Sequence, residues 1–201
     1  MVWDASSSQY KDAFVTAGHV VAVELPNDSL VINANEIVYE GNQSPTQING
    51  TPIGKVYAGQ IGGELDVALV ILDEGIPEIS ATTAHGDVLS NGSFFVADNT
   101  LEGIRACMEG SESGKLEGKV KNVYYSYVDE RGTEFEDVIR CGYIGVNGDS
   151  GGVVYAEADN GDNAIIGIHR ARLSVWGGYD AIVIKGVNIL NAYPGIIYAY
   201  S

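Results

Sequence analysis

The sequence predicts an all-β chain built as two β domains with a cleft between them. Three observations carry this. Short apolar segments recur at turn-marked intervals, no helical patterns alternate with them, and a Gly- and Asn-marked break over residues 86–92 divides the 201 residues into comparable halves, 1–88 and 89–201. Strands at this spacing fit barrels or a sandwich. Hydrophobic residues make up 45% of the chain and charged residues 19%, a balance that supplies a core and excludes a disordered polymer.

In the first half the candidate strands are residues 13–17, 19–24, 30–32, 36–39, 54–58 and 67–72. The last is a near-continuous run of β-branched residues and Leu, the pattern of a fully buried strand. In the second half they are 93–97, 103–108, 118–128, 135–139, 152–155, 164–168 and 181–185, with turn signals at 110–114, 129–132, 159–162 and 177–178. One short helix is expected over 186–193. The chain contains no solenoid repeat and no low-complexity tract.

The net charge of −16 argues against nucleic acid, whose binding needs a basic surface to displace counterions, and against an anionic membrane surface. The acidity reads as a solubility device. No apolar run approaches the ~20 residues of a membrane helix; the stretch 181–200 is broken by Lys185, Asn188, Asn191 and Pro194. Residues 1–11 lack a basic end followed by an apolar segment, so no signal peptide is expected there and the chain reads as soluble and unanchored. The compartment stays open, with sequons at Asn27, Asn42, Asn49 and Asn91 leaning toward an extracellular one. For Cys107 and Cys141, spacing leaves a disulfide and two reduced thiols equally open, and with no C-x-x-C pair a zinc site is not expected. No pattern speaks to oligomeric state.

Three local patterns bear chemistry. Phe14-Val15-Thr16-Ala17-Gly18-His19 ends an apolar strand in two small residues and a histidine. Leu65-Asp66-Val67-Ala68-Leu69-Val70 sets a carboxylate at the mouth of the buried strand. Gly148-Asp149-Ser150-Gly151-Gly152 places a serine in a loop whose glycines permit unusual backbone angles. Alone, each has a plain structural explanation. Together they supply a nucleophile, a base and an orienting carboxylate.

In the order His…Asp…Ser, these motifs resemble the T-A-[AG]-H, D-[IV]-A-L and G-D-S-G-G motifs of the trypsin/chymotrypsin superfamily. The resemblance runs from Phe14 to Gly152 and extends weakly to about Tyr193. It implies two antiparallel barrels with His19 and Asp66 from the first and Ser150 from the second. It further implies an oxyanion hole made by the backbone N–H groups of Gly148 and Ser150, and hydrolysis of a polypeptide through an acyl-enzyme with no metal or organic cofactor. The alternatives from other classes are an inactive protease-fold module that holds partners, and an esterase or autoprocessing protease that cuts only its parent chain.

The string Ile165-Ile166-Gly167-Ile168-His169-Arg170 lies where this superfamily builds its primary specificity pocket. It resembles the pocket strand of glutamyl endopeptidases and of some viral chymotrypsin-like cysteine proteases, where the histidine meets an acidic or amide side chain. The resemblance implies a pocket of Ile144, His169, Arg170 and Ala171 with a Glu or Gln preference at P1, the residue preceding the scissile bond. Strict alternation offers the other reading, a core histidine with Arg170 and Arg172 facing solvent. Ile144 stands six residues before the serine, where trypsin-like members carry Asp, so no anionic pocket base is expected. His85 reads as a solvated loop residue.

The chain also departs from the pattern. Only 18 residues precede His19, so the first barrel is expected to be shortened. No I-V-G-G start is present, and Val20 replaces the usual cysteine after the histidine. Residues 107–114 resemble a bacterial C-R-S-G-x-T-T-G segment, but its partner cysteine is missing. Arg170 occupies the neighbourhood of a serine that bonds the catalytic aspartate in many members.

Overall fold

The computed structural model describes residues 1–4, 8–39, 50–76, 82–94, 99–157 and 162–196. β1 (Val2–Asp4) and β2 (Gln9–Lys11) form a hairpin. β3 (Ala13–Thr16) leads into the helical turn α1 (Gly18–Val21), and β4 (Val23–Glu24) pairs with β5 (Leu30–Val31). β6 (Ile37–Tyr39), β7 (Pro52–Gly62) and β8 (Leu65–Leu72) follow. They join β3 in a four-stranded antiparallel sheet of order β3-β8-β7-β6.

The second half contributes β9 (Leu89–Phe94), β10 (Arg105–Gly110), β11 (Gly114–Val128) and β12 (Glu134–Cys141). Beyond them lie β13 (Val153–Glu157), β14 (Asn163–Val175), β15 (Gly178–Lys185) and α2 (Gly186–Ala192). The sheet order is β13-β10-β11-β12-β15-β14-β9, and β13 also pairs with β14. That pairing brings the sheet back on itself, so six strands form a ring of hydrogen-bonded neighbours.

The core follows the apolar pattern. β8 lies between β3 and β7, and its first six residues are buried, as the unbroken run from Val67 requires. One apolar cluster, including Met108, Val123, Ile139, Val154 and Ile166, belongs to the second half. A second joins Leu65, Val67 and Leu69 to Phe135, Val138, Ile168, Ile182 and Ile184, so the two sheets share a core. The division expected at residues 88 and 89 falls just before β9. The hairpin β11–β12 nevertheless reaches back to the first sheet, where Gly63 N–H donates to Glu134 O at 2.9 Å.

Several expectations are corrected. Residues 19–24 are not one strand: 19–21 coil with Gly18 as α1, Ala22 follows the helical turn, and only 23 and 24 remain as β4, because the chain must turn His19 toward β8. Two strands before β3, at Val2–Asp4 and Gln9–Lys11, were not expected; they pair with each other, and Val2 bridges to Ile196 instead of extending the first sheet. β9 starts inside the supposed break, and the remainder of the expected 93–97 strand lies outside the described residues, as do Asn42, Asn49 and most of the 159–162 turn. β14 continues seven residues past the expected strand end, to Val175.

Cys107 and Cys141 are free thiols. Their strands β10 and β12 flank β11, and two strand spacings, ~9.6 Å, exceed the ~7 Å that a disulfide spans between Cα atoms.

Candidate active site

β3 ends at Thr16, and two small residues, Ala17 and Gly18, carry the chain tightly past β8. The turn is closed by Val20 N–H donating to Ala17 O at 3.1 Å. This aims His19 at Asp66, the second residue of β8. The His19 amide donates to Asp66 Oδ1 at 2.9 Å, and ring Nδ1 lies 2.7 Å from Oδ2. Asp66 is completely buried. Burial alone drives its carboxyl upward, but the His19 ring and amide and the Arg170 charge outweigh that and hold it below the ordinary carboxylate range. An ionised Asp66 only accepts, so Nδ1 carries the proton and Nε2 is left as an acceptor. Nε2 lies 3.0 Å from Ser150 Oγ, whose hydroxyl also reaches Arg170 O at 3.2 Å.

The serine sits in a loop built around the Asp149 carboxylate. Oδ1 accepts from the amides of Glu112 and Ser113 at 3.1 and 2.9 Å; Oδ2 accepts from Ser113 Oγ at 2.7 Å and the Val146 amide at 2.8 Å. Burial pushes this carboxyl up, yet the Ser113 hydroxyl and the three amides together leave it below its usual value. Gly151 N–H donates to His169 O at 2.8 Å and His169 N–H to Gly152 O at 2.7 Å, fixing the loop to β14. Glycine is obligatory at two points. Gly148 has φ +101°, and a Cβ there would stand 2.4 Å from Glu112 Cγ; Gly151 has φ +89°, and its Cβ would meet Thr16 Oγ1 at 2.2 Å. The amides of Gly148 and Ser150 donate to no acceptor among the described residues.

Of the expected pocket residues, His169 is buried at 1% exposure, with Nδ1 3.2 Å from Tyr143 Oη and its ring against the backbone of Gly145. Burial lowers its pKa to about 4, so the ring is neutral near pH 7. Ala171 is half-buried on the same strand, and Ile144 is exposed.

Arg170 requires a correction. Its guanidinium is no free cation lining a pocket: Nε donates to Asp66 Oδ2 at 2.9 Å and Nη2 to Asp129 Oδ2 at 2.7 Å, with the group 4.3 Å above the Phe135 ring. The cause is a β-bulge. His169 pairs with Val183 and Ala171 with Ile182, which leaves Arg170 as the extra residue of β14. Neither strict alternation nor a solvent-facing side chain survives there, and only the Arg170 carbonyl touches Ser150. Arg172 is the exposed one, stacked 4.6 Å over Tyr179. His85 is exposed as expected but not free, because Nδ1 pairs with Glu109 at 2.7 Å. Sequence reasoning missed Asp129 and Ser113, polar residues in turn-like stretches that no local pattern sets apart.

No family model matches the sequence, and no curated protein sequence matches it. Solved structures do. A chymotrypsin of Cellulomonas bogoriensis superimposes with a TM-score of 0.62 at 21% identity, covering 92% of this chain and 85% of its own. The fold is the chymotrypsin-like one. A glutamic acid specific serine protease gives 0.66 at 24% identity over 94% and 87%. A Nocardiopsis protease gives 0.66 at 18% over 100% and 89%. At these identities the likeness is one of fold. Among the described residues no group of three or more His, Cys, Asp or Glu side chains is placed to hold a metal, and no helix is long and apolar enough to cross a membrane.

Proposed function

We propose that the chain is a serine endopeptidase that hydrolyses polypeptides through an acyl-enzyme, with Ser150 as nucleophile, His19 as general base and Asp66 as its orienting carboxylate. The single observation that carries this is the continuous run Asp66–His19–Ser150 at 2.7 and 3.0 Å. Its tautomer leaves Nε2 ready for the hydroxyl proton. As Ser150 Oγ bonds to the scissile carbonyl carbon, that proton passes to His19 and the carbonyl oxygen takes the negative charge. The Gly148 and Ser150 amides are the proposed donors to that oxygen, supported by their having no acceptor among the described residues, and such donors are each worth ~3–4 kcal/mol of barrier in comparable sites. His19 then returns the proton to the departing amine. A water repeats the sequence against the ester and frees Ser150.

A Glu or Gln preference at P1 is the finer part of the proposal. If Tyr143 donates its hydroxyl hydrogen to Nδ1 of the neutral His169, Nε2–H is left as a donor suited to a carboxylate or amide oxygen. One of the similar structures is of a glutamic acid specific protease, in agreement with this reading.

The test is cleavage of a denatured proteome by wild type and Ser150→Ala. Wild type is expected to create new amino termini that follow Glu or Gln, and Ser150→Ala none. Cleavage that persists in Ser150→Ala contradicts the nucleophile assignment, and cleavage after aromatic or mixed residues contradicts the pocket.

A further inference from the structure

We propose that Arg170 and Asp129 act together as a positioning unit for Asp66, fixing its orientation and keeping one net negative charge behind His19. This rests on the reading of the Asp66–His19–Ser150 run as catalytic.

The geometry is specific. The bulge at Arg170 turns its side chain off the strand's alternation and into the space between the two sheets, where it is 11% exposed. Asp66 Oδ2 there receives His19 Nδ1 from one side and Arg170 Nε from the other. Two donors on one oxygen, with the His19 amide on Oδ1, leave the carboxylate a single orientation. The Phe135 face beneath the guanidinium holds the fork flat.

Alone, this arrangement would work against the proposed chemistry. A cation touching Asp66 offsets the charge that must stabilise the imidazolium when His19 takes the serine proton. Asp129 removes the conflict. Its Oδ2 accepts from Arg170 Nη2, and its Oδ1 is fixed by the amides of Arg131 and Thr133 at 2.9 Å each. The carboxylate–guanidinium–carboxylate chain therefore carries one net negative charge, as a lone Asp66 would, with the stiffness of a charge-assisted network. Among the described residues, the other titratable groups that act on Asp66 and His19 are the Tyr127 phenol, kept neutral by burial, and neutral His169 with Asp149 beyond it. None of these replaces Asp129 as the counter-charge to Arg170. The turn bearing Asp129 is fastened to the first half, since Arg131 Nη1 donates to Glu24 Oε1 at 2.7 Å and to Asp28 O at 3.0 Å.

Opposite electrostatic signs make the proposal testable. Wild type, Arg170→Gln, Arg170→Lys and Asp129→Asn are compared, each checked for an unchanged fold by circular dichroism. The readouts are the low-field proton resonance of His19 Nδ1–H and the pH dependence of the rate at which a fluorophosphonate modifies Ser150. Arg170→Gln is expected to weaken the resonance and move the acid limb of the profile to higher pH by ~0.5 unit or more, whereas Asp129→Asn moves it to lower pH by a similar amount. Arg170→Lys keeps the charge and retains the labelling rate within ~10-fold of wild type. Limbs that move in the same direction, or do not move, overturn the proposal. If Arg170→Gln does not fold, the downward shift in Asp129→Asn and the rescue level of Arg170→Lys decide. If wild type is not labelled, the assignment of catalysis fails; the resonance needs no turnover and separately decides whether Arg170 orients Asp66.

Discussion

The Asp66 carboxylate receives two hydrogen bonds from a single residue, the His19 amide on Oδ1 at 2.9 Å and the His19 ring on Oδ2 at 2.7 Å. Both the turn that carries the imidazole and the tautomer of its ring are set by one buried charge. Asp66→Asn removes the charge and presents an amide N–H₂ that Nδ1–H cannot use. The ring then favours the tautomer with its proton on Nε2, facing Ser150. A drop in kcat of ~10⁴-fold is expected, with substrate binding little changed. Steady-state kinetics on a peptide substrate checks this, and a loss under tenfold would contradict the assigned role.

Among the described residues Ser113 supplies the one side-chain hydroxyl that holds Asp149, at 2.7 Å. Ser113→Ala leaves Asp149 with backbone donors alone and is expected to cost about 2 kcal/mol of stability, the scale of a hydrogen bond to a charged group. The Gly148 and Ser150 amides ride on the same loop, so kcat falls more than KM rises. Chemical denaturation and kinetics on the same variant report the two effects.

Two windows of acid destabilisation share a sign and separate by pH range. The folded-state pKa of His169 is lowered to about 4, so the folded protein refuses a proton that the unfolded chain accepts. Its contribution is present above about 6.5 and is lost as pH falls toward 4, by roughly 3 kcal/mol at most. Asp66, Asp149 and Asp180 are held below the ordinary carboxylate value of 3.8 and act in the same direction at lower pH, since they too refuse a proton in the folded state that the unfolded chain accepts. Their contribution is present above that value and is lost as pH falls through the lowered folded values. Unfolding free energies measured from pH 7 to pH 3 should decline in two stages, and His169→Gln should abolish the upper one.

The placement of the three central residues was legible because each sits in a local pattern whose chemistry is local: small residues before His19, a buried run after Asp66, glycines around Ser150. What surrounds them was not. Alternation along residues 168–172 assigns Arg170 a face, but a one-residue bulge against β15 re-aims it, and no residue type in the stretch announces a bulge. Asp129 lies in a turn whose composition reads as plain surface, and only tertiary pairing brings it to Arg170. The expected strand over 19–24 failed for a related reason. Its apolar run satisfies strand propensity, while the hydrogen bond from the His19 amide to Asp66 favours a helical turn.

The cysteines give a further check. Cys141 is buried and its thiol is pushed up to about 12, and burial also raises that of Cys107. Without reductant, denatured protein should show both thiols to a thiol reagent. Folded protein should react at Cys107 first and at Cys141 only on the timescale of opening. One thiol or none in denaturant would contradict the strand order that separates them.

The most direct test of the central claim is peptide-level mass spectrometry after exposure of the folded protein to a fluorophosphonate. The Asp66–His19–Ser150 arrangement predicts a single adduct on Ser150, absent in Ser150→Ala and strongly slowed in His19→Ala. Folded wild type that stays unmodified, or an adduct on a different serine, would contradict it.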